Sequence, residues 1–203
     1  MLAQDTATTN RKEAVKERVE ARKELVQARK ETLIERRDAL KERMATKEAA
    51  LKTRLANFKD QKKATAAARI NTNLNKINEK QTDMMLKHLE KMSQILTKLE
   101  TRVNAGKPDI KDPASARAAI ADAKIQIASA TAAVNAQVDK NYTVSVTSEA
   151  TVKTDAQAVR NSLHTDLKSV REAVIAAKQS VAKAIRVAKS GSTGREATNS
   201  GQQ

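Results

Sequence analysis

The sequence predicts an all-α protein: an antiparallel three-helix bundle or coiled coil with a long charged N-terminal helix extending from it. Residues 1–105 contain no glycine and no proline, and most of them are strong helix formers. Three heptad-spaced apolar seams then follow one another between residues 66 and 189, and their short connections favour antiparallel neighbours. The chain has one Tyr, one Phe and no Trp, so its apolar residues suit narrow helix–helix seams better than a thick core.

The N-terminal residues 1–10 are polar, and we expect a disordered tail there. Asn10 is suited to cap the first helix, with Glu13 completing a capping box. Leu2-Ala3 followed by Gln4-Asp5 is typical of the end of a secretory signal peptide. We therefore expect an exported protein (periplasmic, cell-surface or extracellular) if this end is a trimmed signal peptide, and a cytoplasmic one otherwise.

Residues 11–65 are predicted to form a long basic helix, with 18 Lys and Arg against 10 Asp and Glu. Its apolar stripe is thin, because arginines occupy the companion seam positions that are apolar in an ordinary coiled coil. We expect this helix to pair weakly and to present its charges. A break is expected between residues 59 and 68, where the apolar stripe lapses.

The first full seam lies in a predicted helix at 66–104, which Gly106 closes as a left-handed residue. Gln81 interrupts this seam. Its members are Ile70, Leu74, Ile77, Met85, Leu89, Met92, Leu96, Leu99 and Val103.

A second helix is predicted at 113–138, because Asp112 is a good N-cap and Pro113 suits the first helical position. Its seam alternates alanine with Ile or Val from Ala116 to Val134. Residues 139–151 are predicted to form an extended loop, in which Tyr142, Val144 and Val146 alternate with polar residues like a strand without a partner.

The last helix is predicted at 152–189, starting after Ser148 or Thr154 as cap, with an apolar seam that extends from Val152 to Ile185. The three helices together define a predicted bundle over 66–189. Residues 190–203, rich in Gly, Ser, Thr, Asn and Gln, are predicted to be disordered.

No catalytic or metal-binding constellation is evident, so we predict a non-enzyme without a cofactor or metal. The absence of cysteine removes thiolate chemistry, disulfides and cysteine zinc sites. Met84, His88 and Met92 share a helix face and could hold a soft metal, but methionine is also a common core filler, which we favour here. No apolar run is long enough to span a membrane.

The net charge of +15 favours anionic partners. We expect an anionic polymer or an acidic protein surface as the partner, and self-association through the helical seams as a further possibility. The residues predicted to bind polyanions are Arg22, Arg29, Arg36, Arg43, Lys178, Lys183, Arg186 and Lys189.

The chain resembles a group of small exported helical proteins, rich in Ala, Lys and Glu, from uncultured small-genome bacteria of the candidate phyla. The resemblance is carried by the charged run at 11–24, the heptads that end at 98–102, and the alanine-rich stretches at 121–124 and 170–178. It implies export and an all-helical fold, and it implies no functional residues.

Three functions are compatible with these observations. The first is a non-enzymatic exported structural or binding protein that presents a basic helix to anionic partners. The second is a periplasmic holdase-like chaperone with coiled-coil arms. The third is a nucleic-acid-binding protein, although no aromatic residues accompany the basic ones to stack on bases.

Overall fold

The computed structural model confirms an all-α chain and has no β-strand among the residues that it describes. It describes residues 2–106, 110, 112–146 and 148–190, except for the side chains of 2–12, 14, 15, 18, 19, 22, 25, 26, 29, 30 and 190. Its four helices are α1 (Leu2–Ala56), α2 (Gln61–Asn104), α3 (Pro113–Val138) and α4 (Val152–Ser190). The chain divides into two compact units, Met1–Ala49 and Ala50–Gln203.

Helix α1 begins at Leu2, so residues 2–10 belong to the helix instead of the disordered tail that we expected. Asn10 is therefore inside the helix, because nothing in the preceding residues prevents helix formation on its N-terminal side. In the first unit, no described side chain from 13 to 49 is buried, which agrees with a thin apolar stripe.

The break between the first two helices is a turn at residues 57–60, at the start of the expected interval. The Asp60 side chain accepts hydrogen bonds from the backbone N–H groups of Lys62 and Lys63, at 3.0 and 3.2 Å. Because this N-cap fixes the start of α2, the helix begins at Gln61, earlier than the expected residue 66.

The predicted C-terminal end of α2 and the predicted start of α3 are confirmed. Gly106 has φ of +60°, the left-handed conformation in which glycine carries no steric penalty. The Asp112 side chain accepts from the Ser115 N–H at 3.0 Å, and Pro113 is the first residue of α3. The hydrogen bonds from Ser115 also lower the pKa of the Asp112 carboxyl.

Helix α4 begins at Val152, directly after Thr151, which differs from both expected caps. The Thr151 hydroxyl donates to Asp155 at 2.8 Å and accepts from the Ser148 N–H at 3.1 Å. The expected tail at 190–203 lies outside the described residues except for Ser190, the last residue of α4.

Helices α2, α3 and α4 each pack against the other two. The predicted seams of α3 and α4 are buried or half-buried throughout. The seam of α2 departs from the prediction in its first half, because Ile77 is 46% exposed while Asn71, Asn75, Asn78 and Thr82 are buried. Near the C-terminal end of α1, Leu51 and Leu55 are buried and complete the core of the second unit.

Candidate anion-binding surface

The predicted basic residues of α1 lie on a surface of mixed charge. Arg36 and Arg43 are exposed, and the side chains of Arg22 and Arg29 lie outside the described residues. Acidic neighbours pair with other cations of this helix. Lys23 contacts Glu20 at 2.8 Å, and Lys41 contacts Asp38 at 3.3 Å.

The predicted cations of α4, Lys178, Lys183, Arg186 and Lys189, are all exposed. Two of them belong to a longer row. Lys153, Arg171 and Lys189 are spaced by 18 residues, which is five helical turns, and so are Arg160 and Lys178. We call these five exposed residues the α4 row; Arg186 lies beside it and Lys183 lies farther round the helix.

A second basic row follows the outer side of α2, opposite its buried face. Lys62, Lys80 and Lys98 are again five turns apart, as are Arg69 and Lys87. All are exposed, and at roughly 1.5 Å per residue the row is about 54 Å long. We call the following set the α2 row: Lys62, Arg69, Lys76, Lys80, Lys87, Lys91 and Lys98.

The α2 row was missed in the sequence, although its spacing alone could have revealed it. The number of charged residues by itself indicates α1 as the binding helix, because the charges are most concentrated there. The α2 segment has fewer cations, but a cation spaced by seven, four or eleven residues returns to the same side of a helix.

The acids of α2 lie toward α3, on one side of the α2 row. Glu100 contacts Lys124 of α3 at 2.7 Å, and Asn104 accepts from Arg117 of α3 at 3.3 Å. These contacts identify the side of α2 that faces α3. By helical spacing Glu79, Asp83 and Glu90 lie between this side and the α2 row. Asp83 borders the row, since it is three residues after Lys80 and four before Lys87.

The acids of α4 show a similar separation. Asp166 contacts Lys140 and Tyr142, which belong to the loop that continues α3. Asp155 is three turns before Asp166 and shares its side. Glu172 lies on the outer side, so no acid of α4 lies on the flank that carries the α4 row.

The flank of α2 that turns away from Glu100 carries exposed apolar residues beside the α2 row. Ile77, Met84 and Ile95 are 46%, 42% and 44% exposed. Because α2 packs against α3 on one flank and against α4 on the other, these residues border α4. We define the α2/α4 face as the α2 row, these three residues and the α4 row.

A polar network in the core holds the loop at 139–151. Asn75 accepts from the Tyr142 N–H at 3.0 Å, and Asn71 accepts from the Val144 N–H at the same distance. Asn78 donates to the Gln137 carbonyl oxygen at 3.1 Å. The amides of one helix face thereby satisfy alternate backbone groups of an extended segment, as a neighbouring strand would.

The Tyr142 hydroxyl extends this network to α4. It donates to Asp166 at 2.6 Å and accepts from Gln137 at 2.6 Å. Burial, with the Asp166 carboxylate next, raises the pKa of Tyr142. The hydrogen bond from Tyr142, assisted by Lys140, lowers the pKa of Asp166.

The C-terminal part of the loop is held by the last turn of α1 and by the turn that precedes α2. Arg54 donates to the Val146 carbonyl oxygen at 3.1 Å. Glu149 accepts from the Lys59 and Asp60 N–H groups at 3.2 and 3.0 Å. The network is thus a structural clasp that orients α2 and α4, the two helices of the α2/α4 face.

The side chains of Met84, His88 and Met92, which could hold a soft metal, differ in exposure. His88 is exposed, whereas Met85 and Met92 are buried in the seam. Among the described residues, no three His, Cys, Asp or Glu side chains are grouped so as to bind a metal. Within the described part of the chain, no helix combines the length and apolar character needed to cross a bilayer.

Comparison with known proteins gives no match to a protein-family model, a curated protein or a solved structure.

Proposed function

We propose that the protein is a non-enzymatic, exported helical protein that binds anionic partners through its basic helices. The observation that carries the proposal is the separation of charge on α2 and α4. Their cations form exposed rows, and by helical spacing no acid of α2 or α4 lies between the two rows. This acid-free strip attracts a polyanion, since carboxylates compete for the cations only outside it.

The same proposal places α2, α3 and α4 in an antiparallel three-helix bundle. The contacts that support it run in opposite directions along the two sequences. Asn78 of α2 meets Gln137 near the end of α3, while Glu100 and Asn104 of α2 meet Lys124 and Arg117 nearer its start. This order holds both rows on rigid helices.

Export is the second part of the proposal. It is supported by the Leu2-Ala3-Gln4-Asp5 pattern and by the resemblance to exported helical proteins. The test is the N-terminal sequence of the protein isolated from fractions of its own cells. A mature form found outside the cytoplasm that begins at Gln4 agrees with export, whereas an intact N-terminus in the cytoplasm contradicts it.

Anion binding is tested with labelled inorganic polyphosphate and the full chain, by fluorescence anisotropy over a range of salt concentrations. We expect affinity that falls steeply with salt, because binding releases counterions. The triple variant Lys80→Gln, Lys87→Gln, Lys98→Gln should bind more weakly by on the order of tenfold or more.

The matched control removes three exposed cations of α1: Lys16→Gln, Lys47→Gln, Lys52→Gln. It changes net charge equally and should retain most of the affinity. Equal losses in the two variants would show that net charge, and not the α2 row, attracts the ligand. Duplex DNA in the same assay tests the nucleic-acid alternative, which requires DNA to bind more tightly than polyphosphate.

A further inference from the structure

We propose that the α2/α4 face binds the surface of an anionic lipid bilayer. This inference rests on the proposed function and names its partner. The face combines two kinds of group that a soluble polyanion would not need together: long rows of cations and bulky apolar side chains exposed between them.

The distribution of exposed apolar residues is the first argument. The described part of the chain has six large hydrophobic residues that are clearly exposed. Three of them, Ile77, Met84 and Ile95, lie in one line about 27 Å long on the α2 flank that borders α4. A fourth, Ile175, is 46% exposed on α4 beside Arg171 and Lys178.

The position of the charges is the second argument. The α2 row lies on one side of the apolar line and the α4 row on the other, and by helical spacing no acid of α2 or α4 lies between the two rows. Lysine and arginine beside exposed apolar residues suit a bilayer surface, since the cations reach phosphate headgroups while the apolar groups enter the acyl boundary. The lipid must be anionic, because cations gain little from a zwitterionic surface.

Nucleic acid and soluble polyanions fit the face less well. Bases are usually held by stacking on aromatic side chains, and the chain has one Tyr, which is buried, and one Phe, which is half-buried. A polyphosphate chain would use the cations and leave the isoleucines in water. Binding to a bilayer uses both.

The helices are suited to lie in the plane of the surface. The α2 row and the α4 row each extend over about 54 Å, so many headgroups can be contacted at once. No helix in the described part of the chain needs to cross the bilayer for this contact.

The first experiment measures co-sedimentation of the full chain with vesicles. We expect binding to mixed phosphatidylcholine–phosphatidylglycerol vesicles and little to phosphatidylcholine alone. The apolar variant Ile77→Gln, Met84→Gln, Ile95→Gln keeps the charge and changes only exposed positions. It should bind anionic vesicles about tenfold more weakly, while its affinity for polyphosphate is unchanged.

The control variant Ile34→Gln, Ile125→Gln removes exposed apolar residues from α1 and α3, and it should bind vesicles like the natural chain. A second readout uses the absence of tryptophan from the chain. Met84→Trp should show blue-shifted emission with anionic vesicles, and Ile125→Trp should not.

The outcomes separate the two proposals. If polyphosphate binds but vesicles do not, or if the apolar variant binds vesicles like the natural chain, the bilayer inference is wrong and the proposed function stands. If neither probe binds at low salt, both fail. A further outcome is that sedimentation velocity shows the natural chain to be a dimer and the apolar variant a monomer, while both bind vesicles equally. The apolar line is then a self-association surface and the bilayer inference is overturned.

Discussion

The two halves of the buried face of α2 use different chemistry on one continuous helix. The C-terminal half buries Met85, Leu89, Met92, Leu96 and Val103 against α3 and α4. The N-terminal half buries three asparagines and a threonine beside Leu74 and two alanines, and the asparagine amides bond to the extended loop and to the last turn of α3.

The difference follows from what each half packs against. A helix satisfies its own backbone hydrogen bonds, so its neighbour needs to supply only apolar contact. An extended segment has unpaired N–H and C=O groups, and burying these without partners is costly. The asparagine amides of α2 supply the partners that a second strand would supply in a sheet.

The largest effect should come from the apolar half. Leu96 is 1% exposed, and Leu96→Ala should lower the free energy of unfolding by about 2–5 kcal/mol through lost burial and a cavity. Urea denaturation monitored by circular dichroism measures this. Ile95→Ala is the matched control, because the neighbouring residue is 44% exposed and its truncation should change stability by about 0.5 kcal/mol or less. Similar losses in both variants would contradict the assignment of the core.

The polar half should be sensitive to loss of an amide even when the number and branching of the side-chain heavy atoms are kept. Asn75→Leu leaves the Tyr142 N–H without its acceptor and should cost about 1–3 kcal/mol. Asn73→Leu is the control on the exposed side of the same helix and should be close to neutral.

Hydrogen exchange locates the effect of the clasp. In Asn71→Leu, the Val144 amide should exchange faster, whereas amides in the C-terminal half of α2 keep their protection. If Asn75→Leu were as stable as the natural protein, the hydrogen bonds that the asparagine side chains of α2 accept from the loop would not be what holds the loop in place.

The smallest effect concerns acid. The hydrogen bond from Tyr142 lowers the Asp166 pKa in the folded state, so ionised Asp166 contributes stability above its unfolded pKa of about 3.9. That contribution is lost as the pH falls through the lower folded pKa. Tyr142→Phe should cost about 0.5–1.5 kcal/mol at neutral pH and should flatten the loss of stability in acid.

Urea unfolding at neutral and acid pH, with an NMR titration of the Asp166 carboxyl, measures this prediction. Glu172→Gln serves as the control, because this exposed acid has no part in the clasp. If the stability of the Tyr142→Phe variant fell with acid in the same way as that of the natural chain, the hydrogen bond from Tyr142 to Asp166 would not be the cause of the acid dependence.

Much of the fold could be read from local patterns. Gly106, Asp112 and Pro113 mark helix ends through backbone conformation and capping, which depend on a few adjacent residues. The seams of α3 and α4 could be predicted from heptad spacing, because this spacing holds wherever a helix packs on other helices along its length. The predicted start of α2 is five residues late, because the Asp60 cap lies before the first apolar seam, from which the helix is predicted.

The candidate surface was predicted only in part. The cations at the C-terminal end of α4 were predicted. The rest of the α4 row and the whole α2 row were not, since the α2 row extends from residue 62 to residue 98 and its alignment appears only when the helix is drawn in turns. The predicted seam residue Ile77 is exposed for a related reason: the loop, and not a helix, packs on this half of α2 and draws the buried face toward Asn78.

The sequence by itself determined that this chain is helical, where α3 begins and α2 ends, and that cations outnumber acids, because these properties depend on residue type and on neighbours along the chain. The tertiary structure decided that asparagines form part of the core. It also decided which flank of α2 borders α4, and so which isoleucines lie between two basic rows. Both outcomes depend on the loop and on α4, which lie some sixty to ninety positions from the α2 residues that they contact.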